Sequence, residues 1–360
     1  MMGALREGVA QYGALYLAVG GFLIGGLFGA VVFATNFCAM GSLSDIHNFG
    51  DRRRFRAWVL AATVALMGAQ LLQARGWVGL DQSMYLAAPS VNWVGHSLGG
   101  LMLGFGMVLA GGCPSRNLAR AGGGDVRALL TLVVLGLFAY MTLGGILAPP
   151  RAALERATSV ALQGRSLGHL ASQVIGVAPS AGNLVAAGLV AAGALAYCLA
   201  DVRFRASPAH ISSGIAVGLT VVAGWALTGL AYDDMAARPT PPVSLTYVRP
   251  IGDALQWLTL YTAAPMPGFG AASVFGALIG ACAVSLTMGR FRISTFSDPG
   301  DTLRNLAGAA LMGIGGVMAL GCTVGQAITG VSTLALGSFL TFAAILAGGF
   351  YGLRALERMM

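Results

Sequence analysis

The chain has 360 residues, of which 56% are hydrophobic and 9% charged, with a mean hydropathy of +0.77. Soluble domains carry about a quarter charged residues, so a water-soluble fold is excluded. The net charge of +8 rests on 21 basic residues, all of them arginine; they fall between apolar runs, where the positive-inside rule accounts for them without any nucleic-acid partner.

In chain order the apolar runs predict nine bilayer-spanning helices, at roughly 12–34, 57–73, 96–112, 128–148, 181–200, 211–231, 268–288, 305–321 and 334–352. The first is longer than a signal-peptide core and has no small-x-small cleavage site, so it reads as a retained span. Between the spans, "DRRRFR" (51–56), "PSRNLARAGGGDVR" (114–127), "DVRFR" (201–205) and "GRFRISTFSDPGDTLR" (289–304) are rich in arginine and are expected on the cytoplasmic side. The stretches 75–95, 149–180 and 232–265 are poorer in arginine, and the last holds Asp233 and Asp234; these are expected outside. The two sets alternate, with the N-terminus outside and Arg354 and Arg358 inside.

A shift of 209 residues aligns "GFGMVLAGGC" (104–113) with "GIGGVMALGC" (313–322), and six of the ten positions are identical. In the topology above, span 96–112 runs inward and span 305–321 outward, so the repeat is inverted, a common plan for transporters. The span at 181–200 is the odd helix that permits inversion. The fold class is therefore an all-α polytopic membrane protein of about nine transmembrane helices, in a 4+1+4 inverted repeat with short broken helices meeting near the midplane. Its parts are a first membrane repeat (1–150), an outward connection and linker helix (151–205), and a second, inverted repeat (206–360). Glycines four apart, at 21/25/29, 100/104, 276/280 and 348/352, are expected to let helix backbones approach closely in lipid.

Five cysteines occur, at 38, 113, 198, 282 and 322, with no C-x-x-C and no C-x-x-H. No zinc motif, closely spaced dithiol or cofactor motif is therefore present. Cys198 and Cys282 lie inside featureless spans and read as small buried hydrophobes. The other three share a context of apolar run, thiol, then small and polar residues: Asn36 precedes Cys38, Ser115, Arg116 and Asn117 follow Cys113, and Thr323 and Gln326 follow Cys322; with the three thiols, Asn36, Ser115, Asn117, Thr323 and Gln326 are the candidate substrate-path residues. Glycines and a proline beside these thiols suggest interrupted helices, tolerated in a membrane only where the backbone is buried or lines a cavity. A helix beginning after such a break aims N–H groups into the cavity and favours an anion. A neutral thiol there adds a weak S–H donor and a polarisable contact, which suits an anion with an exposed soft sulfur better than it suits sulfate. The spans carry no carboxylate or lysine for a proton relay, and His47, His96, His169 and His210 fall at span ends or in connections. Downhill passage fits this inventory better than pumping.

The motifs "FATNFCAMGS", "GGLMLGFGMVLAGGCPSRNL" and "GIGGVMALGCTVGQAITG" resemble those of the YeeE/YedE family of bacterial sulfur-compound transporters, over nearly the whole chain. The resemblance implies thiosulfate uptake across the inner membrane by a multi-pass protein that is not an enzyme. It implies that Cys38, Cys113 and Cys322 line the route, and that a soluble sulfur carrier of the TusA type waits on the cytoplasmic side, unfused here because the chain ends at "ALERMM". Two other classes remain open from the residues. A membrane sulfurtransferase would relay sulfane sulfur as cysteine persulfides, and a thiol-redox protein would join motif cysteines in a disulfide.

Overall fold

The computed structural model describes residues 12–359 apart from 89, 162–164, 177, 233–239, 264 and 297. Asp233 and Asp234 thus lie outside the described residues. The first half contains α1 (Gly13–Thr35), α2 (Ala39–Phe49), α3 (Arg53–Ala74), α4 (Trp93–Leu109), α5 (Pro114–Gly122) and α6 (Val126–Leu143). Next come α7 (Ala148–Thr158), α8 (Leu167–Ile175), α9 (Pro179–Leu199) and the single turn α10 (Val202–Arg205). The second half contains α11 (Pro208–Leu230), α12 (Val248–Thr259), α13 (Phe269–Thr287), α14 (Pro299–Met318), a helical segment at 323–332 with a π-turn over Gly325–Gly330, and α15 (Leu336–Met359). The described strands, β1 (Ser90–Asn92) and β2 (Ser159–Ala161), pair antiparallel with Val91 opposite Val160.

Helix starts are written in the sequence. Proline occupies the first turn of α5, α9, α11 and α14, where its missing N–H has no intrahelical partner to lose. The carboxylate of Asp125 accepts N–H bonds from Arg127 and Ala128 at the start of α6, and Asp298 accepts from Asp301 at the start of α14.

Eight helical stretches among the described residues are long and apolar enough to cross a bilayer, including Gly13–Phe49 and Trp93–Gly122, which each join two helices through a break. The ninth expected run, 305–321, falls on α14. That helix is 20 residues long, but its first turns carry Asp301, Arg304 and Asn305, which lower its hydropathy; it still packs inside the bundle against α4 and α6. A second difference concerns 232–265, expected as an outward connection. Its later part turns inward, with Leu245 and Tyr247 fully buried and Val248, Ile251 and Ala254 nearly so. The polar Ser244 and Thr246 broke the apolar run in the sequence. In the fold their hydroxyls are satisfied inside: Ser244 donates to the Val221 carbonyl at 2.7 Å, and Thr246 Oγ1 accepts the Cys322 N–H at 3.5 Å.

Packing between the halves is reciprocal. Helix α1 packs on α13 as α11 packs on α3, α4 packs on α15 as α14 packs on α6, and α4 crosses α14. The spaced glycines sit at these crossings. A Cβ at Gly25 or Gly29 would overlap the carbonyls of Ser273 and Ala277, and one at Gly276 or Gly280 those of Phe22 and Gly26. Backbone therefore lies on backbone between α1 and α13, the contact that small residues permit in lipid.

The connections gather at two ends. At one, Arg56 pairs with Asp201 at 3.1 Å, the Arg292 N–H donates to the Gly123 carbonyl at 3.1 Å, and His47 meets Glu357 at 2.8 Å. At the other, the Leu167 N–H donates to Leu334 O at 2.9 Å, the Leu336 N–H to Arg165 O at 3.1 Å, and the Thr158 hydroxyl to Asn92 at 3.1 Å. The arginine-rich connections share the first end, as their alternation along the chain requires.

Candidate functional site: thiols at interrupted helices

The two breaks that carry Cys113 and Cys322 have one backbone design. Helix α4 closes with Gly111 in the left-handed region (φ 66°), the Gly111 N–H on Val108 O at 3.2 Å and the Gly112 N–H on Met107 O at 2.8 Å. Helix α14 closes with Leu320 at φ 59°, its N–H on Val317 O at 3.1 Å and the Gly321 N–H on Gly316 O at 2.8 Å. Both are Schellman closures. Glycine adopts the turn freely, whereas leucine there costs about 1–2 kcal/mol, so the surrounding packing holds the second break in shape.

Each break is then braced by a side-chain amide from the helix it opens. Asn117 Nδ2 donates to the Gly112 carbonyl at 2.9 Å, and Gln326 Nε2 donates to the Ala319 carbonyl. The sequence reading placed both amides on the substrate path; here their NH2 groups serve the backbone, while Gln326 Oε1 is buried without a partner. Asn36 is the left-handed cap of α1 (φ 57°); it is exposed, and its amide oxygen accepts from Arg116 Nη2.

The thiols stand at helix N-termini. Cys38 is the N-cap of α2, and its Sγ accepts the Gly41 N–H at 3.3 Å. Cys113 is the N-cap of α5, with Sγ 3.3 Å from Ser115 Oγ. Cys322 opens the 323–332 segment, and its Sγ accepts the N–H groups of Gly325 and Tyr247, each at 3.3 Å. Cys38 and Cys113 are neighbours, and Cys322 lies within electrostatic reach of Cys113. All three are buried, the most accessible being Cys38 at 6%. Every sulfur that accepts an N–H keeps its own S–H hydrogen free for another acceptor.

Tyr247, the N-cap of α12, completes a set of four helix starts. Tyr247 lies 209 residues after Cys38, so the repeat offset pointed to it; the sequence reading missed it because tyrosine does not resemble cysteine. Its hydroxyl is buried without a partner, as is that of Thr323, which lies beside the Cys113 thiol without closing a hydrogen bond. An unsatisfied buried hydroxyl costs about 1–3 kcal/mol, offset when a ligand supplies the acceptor. Tyr85 is the other residue the sequence did not mark; its hydroxyl donates to Gly325 O at 2.7 Å. Above Cys322, at the arginine-poor end, a concavity is lined by Tyr85, Asn92, His96, Arg151, Arg165 and Leu320.

Cys198 and Cys282 stand apart. The Cys198 Sγ–H donates to the Arg56 carbonyl at 3.4 Å, and Cys282 is half-buried on α13. All five cysteines are free thiols.

At the arginine-rich end the guanidinium groups nearest the thiol-bearing breaks are paired with carboxylates, Arg116 excepted among the described residues. Arg120 and Arg127 reach Asp125 at 2.7 and 3.2 Å, Arg54 reaches Asp45 at 3.3 Å, and Arg53 reaches Asp51 at 2.7 Å. Burial works to raise the Asp125 carboxyl, but the hydrogen bonds and charges of Arg127 and Arg120 outweigh it and hold it below the usual carboxylate range.

Apolar helices on all sides, interrupted in their middle by buried thiols and helix starts, define a multi-pass membrane protein of the transporter class. The chain belongs to the sulphur transport family, whose model matches residues 34–351. It is similar to the thiosulfate transporter TsuA of Spirochaeta thermophila, 29% identical over 336 residues that cover 89% of this chain and 93% of that protein. It is also similar to the thiosulfate transporter TsuA of Escherichia coli K12, 25% identical over 339 residues that cover 87% of each.

Proposed function

We propose that this chain carries thiosulfate intact across a bacterial inner membrane, through a path formed by Cys322, Cys113 and Cys38 in that order, with no covalent step. The observation that carries this reading is the meeting of three thiols and the unpartnered Thr323 and Tyr247 hydroxyls at helix N-termini in one buried core. Helix N-termini attract a dianion, hydroxyls and S–H groups donate to its oxygens, and the polarisable thiols suit its terminal sulfur. Contacts of this kind are weak and repeated, which allows entry without trapping.

The path runs from the concavity above Cys322 at the arginine-poor, outer end to the arginine-rich, cytoplasmic end beside Cys38. The reciprocal packing of the halves supports an inverted repeat about the α4–α14 crossing. Ser115 supports Cys113, and Asn117, Gln326 and Asn36 shape the breaks. A soluble TusA-type sulfur carrier is the partner at the cytoplasmic face, where its thiolate takes the terminal sulfur of the imported thiosulfate and releases sulfite.

Growth on single sulfur sources tests the assignment. Cells lacking other sulfate and thiosulfate importers should grow on thiosulfate, and not on sulfate, when they express this chain. Equal rescue on both sources, or on neither, would contradict it.

A further inference from the structure

Arg116 is the third residue of α5, and it is placed against the electrostatics of its own helix. The first turn carries no acidic residue, and a cation there opposes the helix dipole. Unlike its neighbours Arg54, Arg120 and Arg127, it forms no ion pair with a carboxylate among the described residues. Its hydrogen bonds go to neutral acceptors: Nη1 donates to the Val32 carbonyl at 3.4 Å and Nη2 to the Asn36 amide oxygen. A guanidinium has five N–H donors, so most of its capacity is unspent. Gly112 makes room for its stem, since a Cβ there would stand 3.3 Å from Arg116 Cγ. Arg116 stands three residues after Cys113, in the first turn that Cys113 caps, and its Nη2 reaches the exposed Asn36, two residues before Cys38, so the charge lies beside both thiols. An unpaired cation inside a run of 30 apolar-rich residues is unfavourable unless something anionic comes to it.

We propose that Arg116 is the fixed counter-charge of an inner anion site, which holds a small divalent oxyanion between its guanidinium and the thiols of Cys113 and Cys38. The identity of that anion as thiosulfate rests on the function proposed above; the site itself does not. Arg116 thus favours dianions at the inner end of the path, and Asn36 steadies it from the tip of α1.

The test compares two thiol reagents of nearly equal size, anionic iodoacetate and neutral iodoacetamide, on Cys113 and Cys38 of the full chain in inside-out membrane vesicles, read by peptide mass spectrometry. Their rate ratio cancels any change in thiol ionisation. Arg116→Gln should lower the iodoacetate-to-iodoacetamide ratio about tenfold, within the range of electrostatic focusing in a cleft. Arg116→Lys should restore most of it, and Arg290→Gln, on the exposed basic connection, should leave it unchanged. An unchanged ratio in Arg116→Gln, or the same fall in Arg116→Lys, would overturn the site. If Arg116→Gln does not reach the membrane, the native chain decides: added thiosulfate or sulfate should slow iodoacetamide at Cys113, and no protection by either would overturn it. Protection by sulfate in a chain that fails to grow cells on thiosulfate would uphold the site and reject the substrate.

Discussion

Alanine at Cys113 or Cys322 is expected to reduce thiosulfate uptake by about ten- to a hundred-fold, while alanine at Cys198 or Cys282 leaves it within about twofold. Hydrogen bonds to a charged group contribute about 1.5–3 kcal/mol, and each 1.36 kcal/mol is a factor of ten in rate. Cys113 and Cys322 are wholly buried at helix starts, so each alanine leaves an apolar methyl where the proposed path would carry the dianion. Cys198 satisfies its thiol on the Arg56 carbonyl, away from the breaks. Serine should rescue neither Cys113 nor Cys322 by more than a small fraction, because a hydroxyl keeps the donor but loses the polarisable sulfur contact. Uptake into proteoliposomes at matched protein content measures this. Equal loss at all five cysteines would point to folding and remove the thiols from the path.

The largest structural effect is expected at the α1–α13 crossing. Gly29→Val and Gly276→Val should each destabilise the protein by about 3 kcal/mol or more, at the upper end of overpacking effects. The new side chain would meet backbone, the Ala277 carbonyl in one case and the Phe22 carbonyl in the other, and backbone cannot swing aside as a side chain can. Gly193→Val on α9 is the matched control, since nothing lies within 4 Å of a Cβ there. Thermal unfolding of the detergent-solubilised protein should show a clear fall in Tm for the first two and little change for the third. Comparable Tm values for all three would mean that α1 and α13 do not cross through these glycines.

What the sequence disclosed and what it hid have a common physical cause. Apolar runs and glycine spacing report burial and close approach, so eight spans, the glycines at the close crossings and the cysteine-bearing breaks were legible, though not which helix meets which. Polar side chains report only that they are polar. Asn117 and Gln326 stand out in the sequence only as amides beside a thiol; the fold spends their NH2 groups on carbonyls that the breaks leave open. The inward turn at 241–259 was hidden by Ser244 and Thr246, whose hydroxyls are satisfied only by residues distant in sequence. In the sequence Arg116 is one of three arginines in a connection expected on the cytoplasmic side, with nothing to set it apart. Only the fold shows that Arg120 and Arg127 have Asp125 while Arg116 pairs with no carboxylate among the described residues.

The central claim, intact and non-covalent passage, is tested most directly by following the two sulfur atoms of thiosulfate separately. Proteoliposomes containing this chain as the sole protein would be given thiosulfate radiolabelled at the terminal sulfur in one experiment and at the sulfonate sulfur in the other. Intact passage predicts equal lumenal label in both, with free thiols on Cys38, Cys113 and Cys322 in protein recovered during uptake. Label from the terminal sulfur alone, with a stoichiometric persulfide on Cys113 or Cys322, would contradict it and make the protein a sulfurtransferase.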